Sequence, residues 1–482
     1  MVPPPVPAGR NDWQNTFARL LGDVMPNALP PRGDRPSGPS RRAFLRISSG
    51  AAAALAIANV RAGIADTRAS DEAPCDPPQN TPDTSRELPI TGIERPELAG
   101  FDRAMLNFLR EEKGVGAALA ITKDGRLVYA RGFGYADREA RRVVEPHSLF
   151  RIASLSKAVT GAAILQLVQG DQLAMHARVR EVLDICKIYD DRWRYITIAQ
   201  LLDHTGGWDR EQSYDAMFRA VEIAEALKVP PPAMPADVIR FMARQPLDFD
   251  PGSRNAYSNF GYSLLGRVIE RLTGQRYDEY VRSEVLTPLG IRKMRLGATL
   301  PASRAEDEVC YYDGHDETGP AVLGNQIGAQ VPWPYGAWCL EAMDAHGGWI
   351  ASAIDMVRFG AAFDDPERCP ILNGDSVRLM FTRPTGPAGY DADGGPKEAY
   401  YACGWNVRPV SDRGKFNAWH TGSLDGTSTL LVRRHDGLNW AVLFNVRDGA
   451  SGKRMSLGAD RWLHRVADEV TEWPDVDEFQ ST

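Results

Sequence analysis

The chain has 482 residues, 43% of them hydrophobic and 25% charged, which is an ordinary globular composition with enough length for a large core. The net charge is −7; residues 1–65 contain eight arginines and three aspartates and carry +5, so the rest carries about −12 (−7 minus +5). An acidic body without basic runs interleaved with aromatic residues argues against nucleic acid or an anionic membrane surface as a partner.

The N-terminal segment has the successive parts of an export signal. Residues 40–45 (SRRAFL) form a twin-arginine pattern, and an Ala-rich apolar stretch follows over residues 47–60. That stretch is shorter than the roughly 20 residues that span a bilayer, and small residues place the expected cleavage after Ala65. Residues 1–65 are therefore predicted to be a twin-arginine signal with a long n-region, which predicts a periplasmic or extracellular protein. Membrane association is expected only if the signal stays uncleaved. The alternative is a buried Ala-rich helix.

The segment after this signal predicts a linker followed by the first folded elements. Residues 66–96 are polar and rich in proline, which indicates a flexible linker. Residues 98–112 have helical periodicity. Apolar runs at 115–122 and 127–132 lie on either side of a Lys-Asp-Gly turn and predict a β-hairpin.

The C-terminal end has a similar pattern. Strands at 429–434 and 440–446 flank an Asp-Gly turn, and a helix is predicted over 455–470. The middle of the chain, about 158–300, is mostly helical. Strands at both ends with helices between them imply one sheet assembled from distant segments, together with an inserted all-α domain.

Residues 305–345 are irregular and rich in aromatic side chains, including Tyr311 and Trp338. Loops of this length inside compact domains are usually functional or disordered. Two interpretations stay open: the aromatic side chains order a loop over a pocket, or they cap the core.

The cysteines do not have the spacing of a metal or thioredoxin-type site, because no pair is arranged as CxxC. An exported protein with an even number of cysteines can form disulfides. If disulfides form, we expect Cys310 to pair with Cys339 across the long loop; buried free thiols are the alternative. The six cysteines are Cys75, Cys186, Cys310, Cys339, Cys369 and Cys403.

Ser154 and Lys157 are the first candidate catalytic pair. They lie three residues apart, one helical turn, at the start of an apolar segment that predicts a buried helix ending at Gly170. A serine hydroxyl is a poor nucleophile until a base takes its proton. Lysine can be that base when burial lowers its pKa. By itself the S-x-x-K spacing is a weak signal, since Ser154 could be only a helix N-cap.

Two later segments strengthen this interpretation. Tyr257 and Asn259 lie just before a predicted helix, and a Tyr-x-Asn pair in an extended stretch places a phenol and an amide on one side. The phenol can relay a proton when a cation lowers its pKa. The alternative is a turn with a half-buried tyrosine.

The last segment, His420-Thr421-Gly422-Ser423, leads into the C-terminal hairpin. Glycine permits close approach to the backbone, and an edge strand offers free N–H and C=O groups to an acyl chain. His420 is either a proton donor or hydrogen-bond partner in the site or, more commonly for a lone histidine, a structural residue.

Together, S-x-x-K, Y-x-N and H-T-G in this order resemble the serine β-lactamase and penicillin-binding protein superfamily, whose third motif is K-T-G. The resemblance is closest to the branch of class C β-lactamases, esterases and D-aminopeptidases. Residues 201–207 (LLDHTGG) resemble a loop of that branch, and residues 346–355 resemble its Gly-Gly helix start. The likeness covers about residues 97–470, and an acidic tail is predicted over 471–482.

The resemblance implies a role for each candidate residue. Ser154 would be the acylated nucleophile, Lys157 and Tyr257 would share the acid and base duties, and Asn259 would contact the substrate carbonyl. The N–H groups of Ser154 and Ser423 would form the oxyanion hole.

The departure from the superfamily pattern is at His420, where β-lactamases carry a lysine that helps to bind the carboxylate of a β-lactam. Neutral imidazole binds anions less well than a permanent cation. This substitution favours an ester or amide hydrolase over an efficient β-lactamase.

These observations predict an exported serine hydrolase that forms an acyl-enzyme on Ser154, of carboxylesterase, D-aminopeptidase or DD-peptidase, or weak β-lactamase type. The alternative is a non-catalytic, penicillin-binding-like module that binds peptides or acts as a sensor. The chain lacks the G-x-S-x-G of α/β-hydrolases and the H-E-x-x-H of metallo-hydrolases.

The expected fold is α/β (α+β), with a mainly antiparallel sheet flanked by helices. No metal or organic cofactor is implied. The expected partner is a small-molecule or peptide acyl substrate, and the oligomeric state stays open.

Overall fold

A nine-stranded antiparallel sheet is the centre of the fold. The computed structural model describes residues 88–313, 317–410 and 414–480, so the predicted export signal and most of the predicted linker lie outside the described residues. The strands are β1 (Ile90–Gly92), β2 (Gly116–Lys123), β3 (Arg126–Asp137), β4 (Arg142–Val143), β5 (Phe150–Arg151), β6 (Arg295–Leu296), β7 (Thr318–Pro320), β8 (Gln330–Pro332), β9 (Trp349–Ala351), β10 (Tyr400–Ala402), β11 (Trp405–Pro409), β12 (Phe416–Leu424), β13 (Thr427–Arg433) and β14 (Leu438–Phe444).

The large sheet joins strands from the two ends of the described chain. Its order is β1-β3-β2-β14-β13-β12-β11-β10, with β4 beside β3. At the junction β14 pairs antiparallel with β2, and Trp440 lies opposite Ile121. Two small sheets, β5-β9-β6 and β7-β8, lie outside it. The expectation of one mainly antiparallel sheet built from distant segments is confirmed.

Helices cover both faces of this sheet. The helices among the described residues are α1 (Ala99–Glu111), α2 (Ser156–Gln169), α3 (Val179–Val182), α4 (Ile198–Leu202), α5 (Ala220–Leu227), α6 (Pro235–Met242), α7 (Asn259–Thr273), α8 (Tyr277–Tyr280), α9 (Asp344–Gly347), α10 (Ala353–Ala361), α11 (Gly374–Met380) and α12 (Met455–Glu469). Among the described residues, no helix has both the length and the apolar character needed to cross a membrane.

Side-chain alternation along the strands divides the core into two layers. On β14, Trp440 and Val442 face the layer formed with α1 and α12, whereas Ala441 and Leu443 face the layer that includes α10. This period of two is the ordinary geometry of a strand. Because both faces are buried under helices, the strands have nearly continuous apolar sequences rather than alternating apolar and polar residues.

The chain between β5 and β6, residues 152–294, is described throughout and contains helices and loops but no strand. This agrees with the helical segment predicted over about 158–300, and its status as a separate domain stays a prediction. Within it, α2 is buried around nearly its whole circumference, as its apolar sequence indicates. It ends at the C-cap Gly170.

The predicted disulfide between Cys310 and Cys339 is wrong, because both thiols are free. Each is directed toward a different carboxylate. The Cys310 thiol donates to Asp137 at 3.1 Å, and the Cys339 thiol donates to Glu341 at 3.6 Å. The other described cysteines are also free, and Cys75 lies outside the described residues.

The aromatic loop caps the core around one buried cation. The Arg151 guanidinium lies 4.2 Å from the centroid of the Tyr311 ring and 5.1 Å from that of Trp338. It also donates to the Pro334 carbonyl at 2.6 Å. Two interpretations were left open for residues 305–345. The contacts of these aromatic residues agree with the second, in which they cap the core. Arg151 ties the loop to the segment that carries Ser154.

Candidate active site

Ser154 lies on a turn of 3₁₀ helix (Ala153–Leu155) that runs directly into α2. Ala153 has φ +48°, in the left-handed region that non-glycine residues seldom adopt. Its carbonyl accepts a hydrogen bond from the Ser156 hydroxyl at 2.7 Å, which holds the turn. Ser154 is half-buried, while its neighbours on both sides are buried. The turn therefore presents one hydroxyl to the cavity in front of the helix.

Lys157 is fully buried beneath this serine. Its Nζ lies 3.1 Å from the Ser154 Oγ and donates to the Asn259 Oδ1 at 2.7 Å and to the His346 carbonyl at 2.8 Å. Loss of hydration lowers the pKa of Lys157 well below its usual range; the charge of Asp215 opposes this shift and that of Arg210 adds to it. A neutral amine within hydrogen-bond distance of the hydroxyl has the geometry of a general base.

Tyr257 is on the loop before α7, and its ring centroid lies 4.8 Å from the Lys157 Nζ. Burial raises the pKa of its phenol above the usual range, while a hydrogen bond with Ser154 and the charge of Arg210 oppose the shift. The sequence-based interpretation had a cation lowering this pKa. The structure gives the opposite net direction because burial outweighs the nearby cations. A raised pKa means that the Tyr257 phenol holds its proton more firmly than an exposed tyrosine does.

Asn259 is the first residue of α7 rather than part of an extended stretch. The Ser258 side chain caps this helix by accepting a hydrogen bond from the Gly261 N–H at 3.1 Å. The Asn259 amide donates from Nδ2 to Asp215 at 2.6 Å and accepts at Oδ1 from Lys157. The amide thus links a carboxylate to the lysine.

His204 supports the loop that carries Tyr257. Its ring contacts the rings of both Tyr257 and Tyr401, tilted by 45° and 41°, at centroid distances of 4.4 Å and 4.3 Å. Its Nδ1 accepts from the Ser258 N–H at 3.2 Å, and its carbonyl accepts from the Ala256 N–H at 2.9 Å. Burial lowers the pKa of His204 well below its usual range, so the ring is neutral. The LLDHTGG motif was matched in sequence, but this supporting role was not predicted.

His420 is buried, with 3% of its surface exposed. Its Nδ1 contacts the Thr421 carbonyl at 2.7 Å, so Nδ1 must carry the proton, and Nε2 then accepts from the Tyr401 hydroxyl at 3.0 Å. Burial lowers the pKa of His420 to about 3, and the charge of Lys157 acts in the same direction. The ring is neutral, as expected when histidine replaces lysine in the third motif. Tyr401 was missed in the sequence because it belongs to no motif.

The segment Thr421–Ser423 lies on β12, which is an internal strand between β11 and β13 rather than the predicted edge strand. However, β11 pairs with β12 only from Phe416 to Trp419, so the later residues have no β11 partner on that side. A Cβ on Gly422 would overlap the carbonyl oxygen of Ile152 and the Thr429 hydroxyl. Glycine therefore lets β12 lie directly against the turn that carries Ser154.

These elements enclose a cavity of about 320 Å³. Two exposed arginines, Arg210 and Arg454, contribute to its wall, and Arg210 lies 5.1 Å from the centroid of the Tyr257 ring. No group of side chains suited to a metal ion occurs among the described residues. The lining residues are Ala153, Ser154, Arg210, Phe218, Tyr257, Asn259, Met343, His346, Gly347, Tyr401, Asn406, His420, Thr421, Ser423, Leu424 and Arg454.

The structure brings all the candidate residues predicted from the three motifs to one place. A nucleophile and a buried lysine at the start of a helix, beside a phenol and a glycine-containing strand, define a serine hydrolase. The chain belongs to the beta-lactamase family, whose model matches residues 101–460.

Relatives within this group differ in their named activities. Esterase EstB of Burkholderia gladioli is 34% identical over 243 residues, which cover 49% of this chain and 58% of EstB. Penicillin-binding protein 4 of Amycolatopsis lactamdurans is 30% identical over 286 residues, covering 56% of this chain and 66% of that protein. Each alignment thus spans less than two thirds of the relative.

The solved structures extend the similarity in fold. The D-amino acid amidase from Ochrobactrum anthropi SV3, solved with L-phenylalanine amide, is 21% identical and covers 77% of this chain and 98% of its own, with a TM-score of 0.57. At that identity the likeness supports the mixed α/β fold with a mainly antiparallel sheet.

Proposed function

We propose that the chain is an exported hydrolase that forms an acyl-enzyme on Ser154 and hydrolyses an ester or an amide. The observation that carries this proposal is the 3.1 Å distance between the Lys157 Nζ and the Ser154 Oγ in a site that disfavours the charged form of the lysine. A hydroxyl beside a buried, neutral amine is an activated nucleophile.

In the proposed reaction, Lys157 takes the hydroxyl proton as the Ser154 Oγ attacks the carbonyl carbon. The N–H groups of Ser154 and Ser423 stabilise the oxyanion, and a donor of this kind is worth about 100-fold or more in rate. Tyr257 donates its phenolic proton to the leaving alcohol or amine, and the proton held by Lys157 restores the phenol. Water then attacks the carbonyl carbon of the acyl-enzyme, and its proton passes to the Ser154 Oγ as the acid is released.

The expected substrate is an ester or amide with an acyl group small enough for the cavity of about 320 Å³. The neutral His420 supports ester or amide hydrolysis over efficient β-lactam hydrolysis, because it offers no fixed cation to a carboxylate. The named activities of EstB and of the D-amino acid amidase are consistent with esters and amides as substrate classes. Export rests on the twin-arginine pattern at residues 41–42.

Intact mass spectrometry after exposure to a fluorophosphonate, and separately to a penicillin, tests the proposal. We expect one stable fluorophosphonate adduct, no adduct in Ser154→Ala, and little labelling by the penicillin. Ser283→Ala is the control, since that hydroxyl is exposed and donates to the Tyr280 carbonyl at 3.2 Å, and it should keep the adduct. Folded protein without an adduct from either reagent would favour the non-catalytic peptide-binding module instead.

A further inference from the structure

Asp215 contacts Asn259, the hydrogen-bond partner of Lys157, from a loop that none of the motifs includes. It lies just before a turn of 3₁₀ helix (Ala216–Phe218), and its side chain accepts from the Met217 N–H at 3.1 Å. Its Oδ2 accepts from the Asn259 Nδ2 at 2.6 Å. An ionised carboxylate has acceptors only, so the amide nitrogen of Asn259 must face it.

The orientation of this amide sets what Lys157 can do. With Nδ2 toward Asp215, the Asn259 Oδ1 faces the Lys157 Nζ at 2.7 Å. The His346 carbonyl is a second acceptor, at 2.8 Å. A neutral amine has two N–H donors and one lone pair. The two acceptors take both donors, which leaves the lone pair for the Ser154 hydroxyl at 3.1 Å.

We propose that Asp215 is a positioning residue that fixes the Asn259 amide and thereby aims the lone pair of Lys157 at Ser154. This inference rests on the proposed function of Ser154 and Lys157. The hydrogen bonds of the Asn259 amide to Asp215 and to Lys157 would then serve to orient the lysine. With Asp215 absent, the amide is free to turn and to present its N–H groups to the Nζ, which would displace the lysine lone pair from the serine.

The charge of Asp215 gives the proposal a pH signature. Loss of hydration raises the pKa of Asp215, while the Asn259 and Met217 hydrogen bonds and the charges of Arg210 and Lys157 oppose the shift. In return, the Asp215 charge raises the pKa of Lys157 against the larger effect of burial. The other ionisable groups around Lys157 are Arg210, His204, His346, His420, Tyr257 and Tyr262.

Neutralising Asp215 should therefore move the acid limb of activity to lower pH. The base form of Lys157 is required, and without the Asp215 charge that form persists to a lower pH. Asp215→Asn keeps an oxygen acceptor for the Asn259 Nδ2 and can still cap the 3₁₀ turn. It removes the charge and preserves the contact, whereas Asp215→Ala removes both.

The experiment compares these two variants by hydrolysis of p-nitrophenyl acetate across pH and by the rate of fluorophosphonate labelling. We expect Asp215→Ala to lose about 100-fold in kcat/KM, the size of effect that misplacing a catalytic group produces. Asp215→Asn should stay within about threefold of wild type at alkaline pH, with its acid limb shifted to lower pH. Asp365→Ala is the matched control. Asp365 is exposed and accepts from the Glu367 N–H at 3.0 Å at the start of another 3₁₀ helix.

An NMR titration of Lys157 separates this inference from the proposed function, because it needs no turnover. The sequence has nine lysines, so the Cε signal of Lys157 can be assigned in ¹³C-lysine protein by comparison with Lys157→Arg. A lower Lys157 pKa in Asp215→Asn, together with the loss of rate in Asp215→Ala, supports the proposal. An unchanged Lys157 pKa, or wild-type rates in folded Asp215→Ala, overturns it. Wild-type protein without a Ser154 adduct overturns the proposed function instead, and the positioning role for catalysis with it.

Discussion

The buried His420 should make the stability of the fold depend on pH. In the folded state burial lowers the pKa of this imidazole to about 3, from 6.5 for an ordinary histidine. Between these values the unfolded chain binds a proton that the folded chain does not. The free energy of unfolding must therefore fall as the pH drops from about 6.5 toward 3, and must be independent of this group above about pH 7.

The magnitude follows from the size of the shift. One proton is worth about 1.4 kcal/mol per pH unit, and about half of the unfolded histidines are already charged at pH 6.5. His420 should therefore contribute a loss of about 2.3 kcal/mol between about pH 6.5 and 4.5. His204 and His346 act in the same direction, since burial also lowers the pKa of each. Asp203 acts in the opposite direction, because burial raises its pKa to about 8 and the fold loses stability as pH rises toward that value. Only a difference between variants isolates His420.

Urea unfolding followed by tryptophan fluorescence, on wild type and His420→Gln across this pH range, is the measurement. Glutamine can still accept from the Tyr401 hydroxyl, and it does not titrate. The stability of wild type minus that of the variant should rise by about 2.3 kcal/mol from about pH 4.5 to 6.5 and level off above about pH 7. His435→Gln, at an exposed histidine, is the control for the substitution itself. A flat difference for His420→Gln would refute the neutral, buried imidazole.

Three further predictions concern the reaction, the strand beside it and export. Tyr257→Phe should slow hydrolysis of an alkyl amide by about 100-fold but affect a p-nitrophenyl ester much less, because p-nitrophenolate leaves without a proton; equal losses in kcat would contradict its role as an acid. Gly422→Val should abolish fluorophosphonate labelling and cost about 2 kcal/mol of stability in urea, because its side chain would overlap the Ile152 carbonyl; normal labelling would show that β12 does not need this contact. Replacing both Arg41 and Arg42 with lysine should leave uncleaved precursor in the cytoplasm on cell fractionation, and unchanged export would count against a twin-arginine signal.

The local elements follow from the sequence because their patterns are local. The helix predicted over 98–112 is α1, Ala99–Glu111, whose buried Phe101, Met105 and Phe108 have helical spacing. Both hairpins were predicted from apolar runs around Gly-containing turns. The order of strands is different in kind. No local signal pairs β14 with β2, because that pairing depends on how two apolar runs more than 300 residues apart bury both faces under helices.

The same distinction applies to the active site. The spacing of Ser154 and Lys157 is a property of one helical turn, so the sequence predicts that they meet. Asp215 and Tyr401 come from segments without a motif and reach the site only through tertiary packing. The His346 carbonyl is a backbone group, and a sequence pattern of side chains carries no signal for it.

The distribution of charge around Lys157 explains how one site combines a base and an acid. His204, His346 and His420 lie near the lysine, and burial lowers the pKa of all three, so they add no cations beside it. The net result is a lysine that is easily deprotonated and a Tyr257 phenol that is hard to deprotonate, side by side at 4.8 Å. Groups whose environments push their pKa values apart divide the work of base and acid between them. Replacing any of these imidazoles with a permanent cation would lower the pKa of Lys157 further and weaken it as a base, which gives a physical reason for histidine in the third motif of an ester or amide hydrolase.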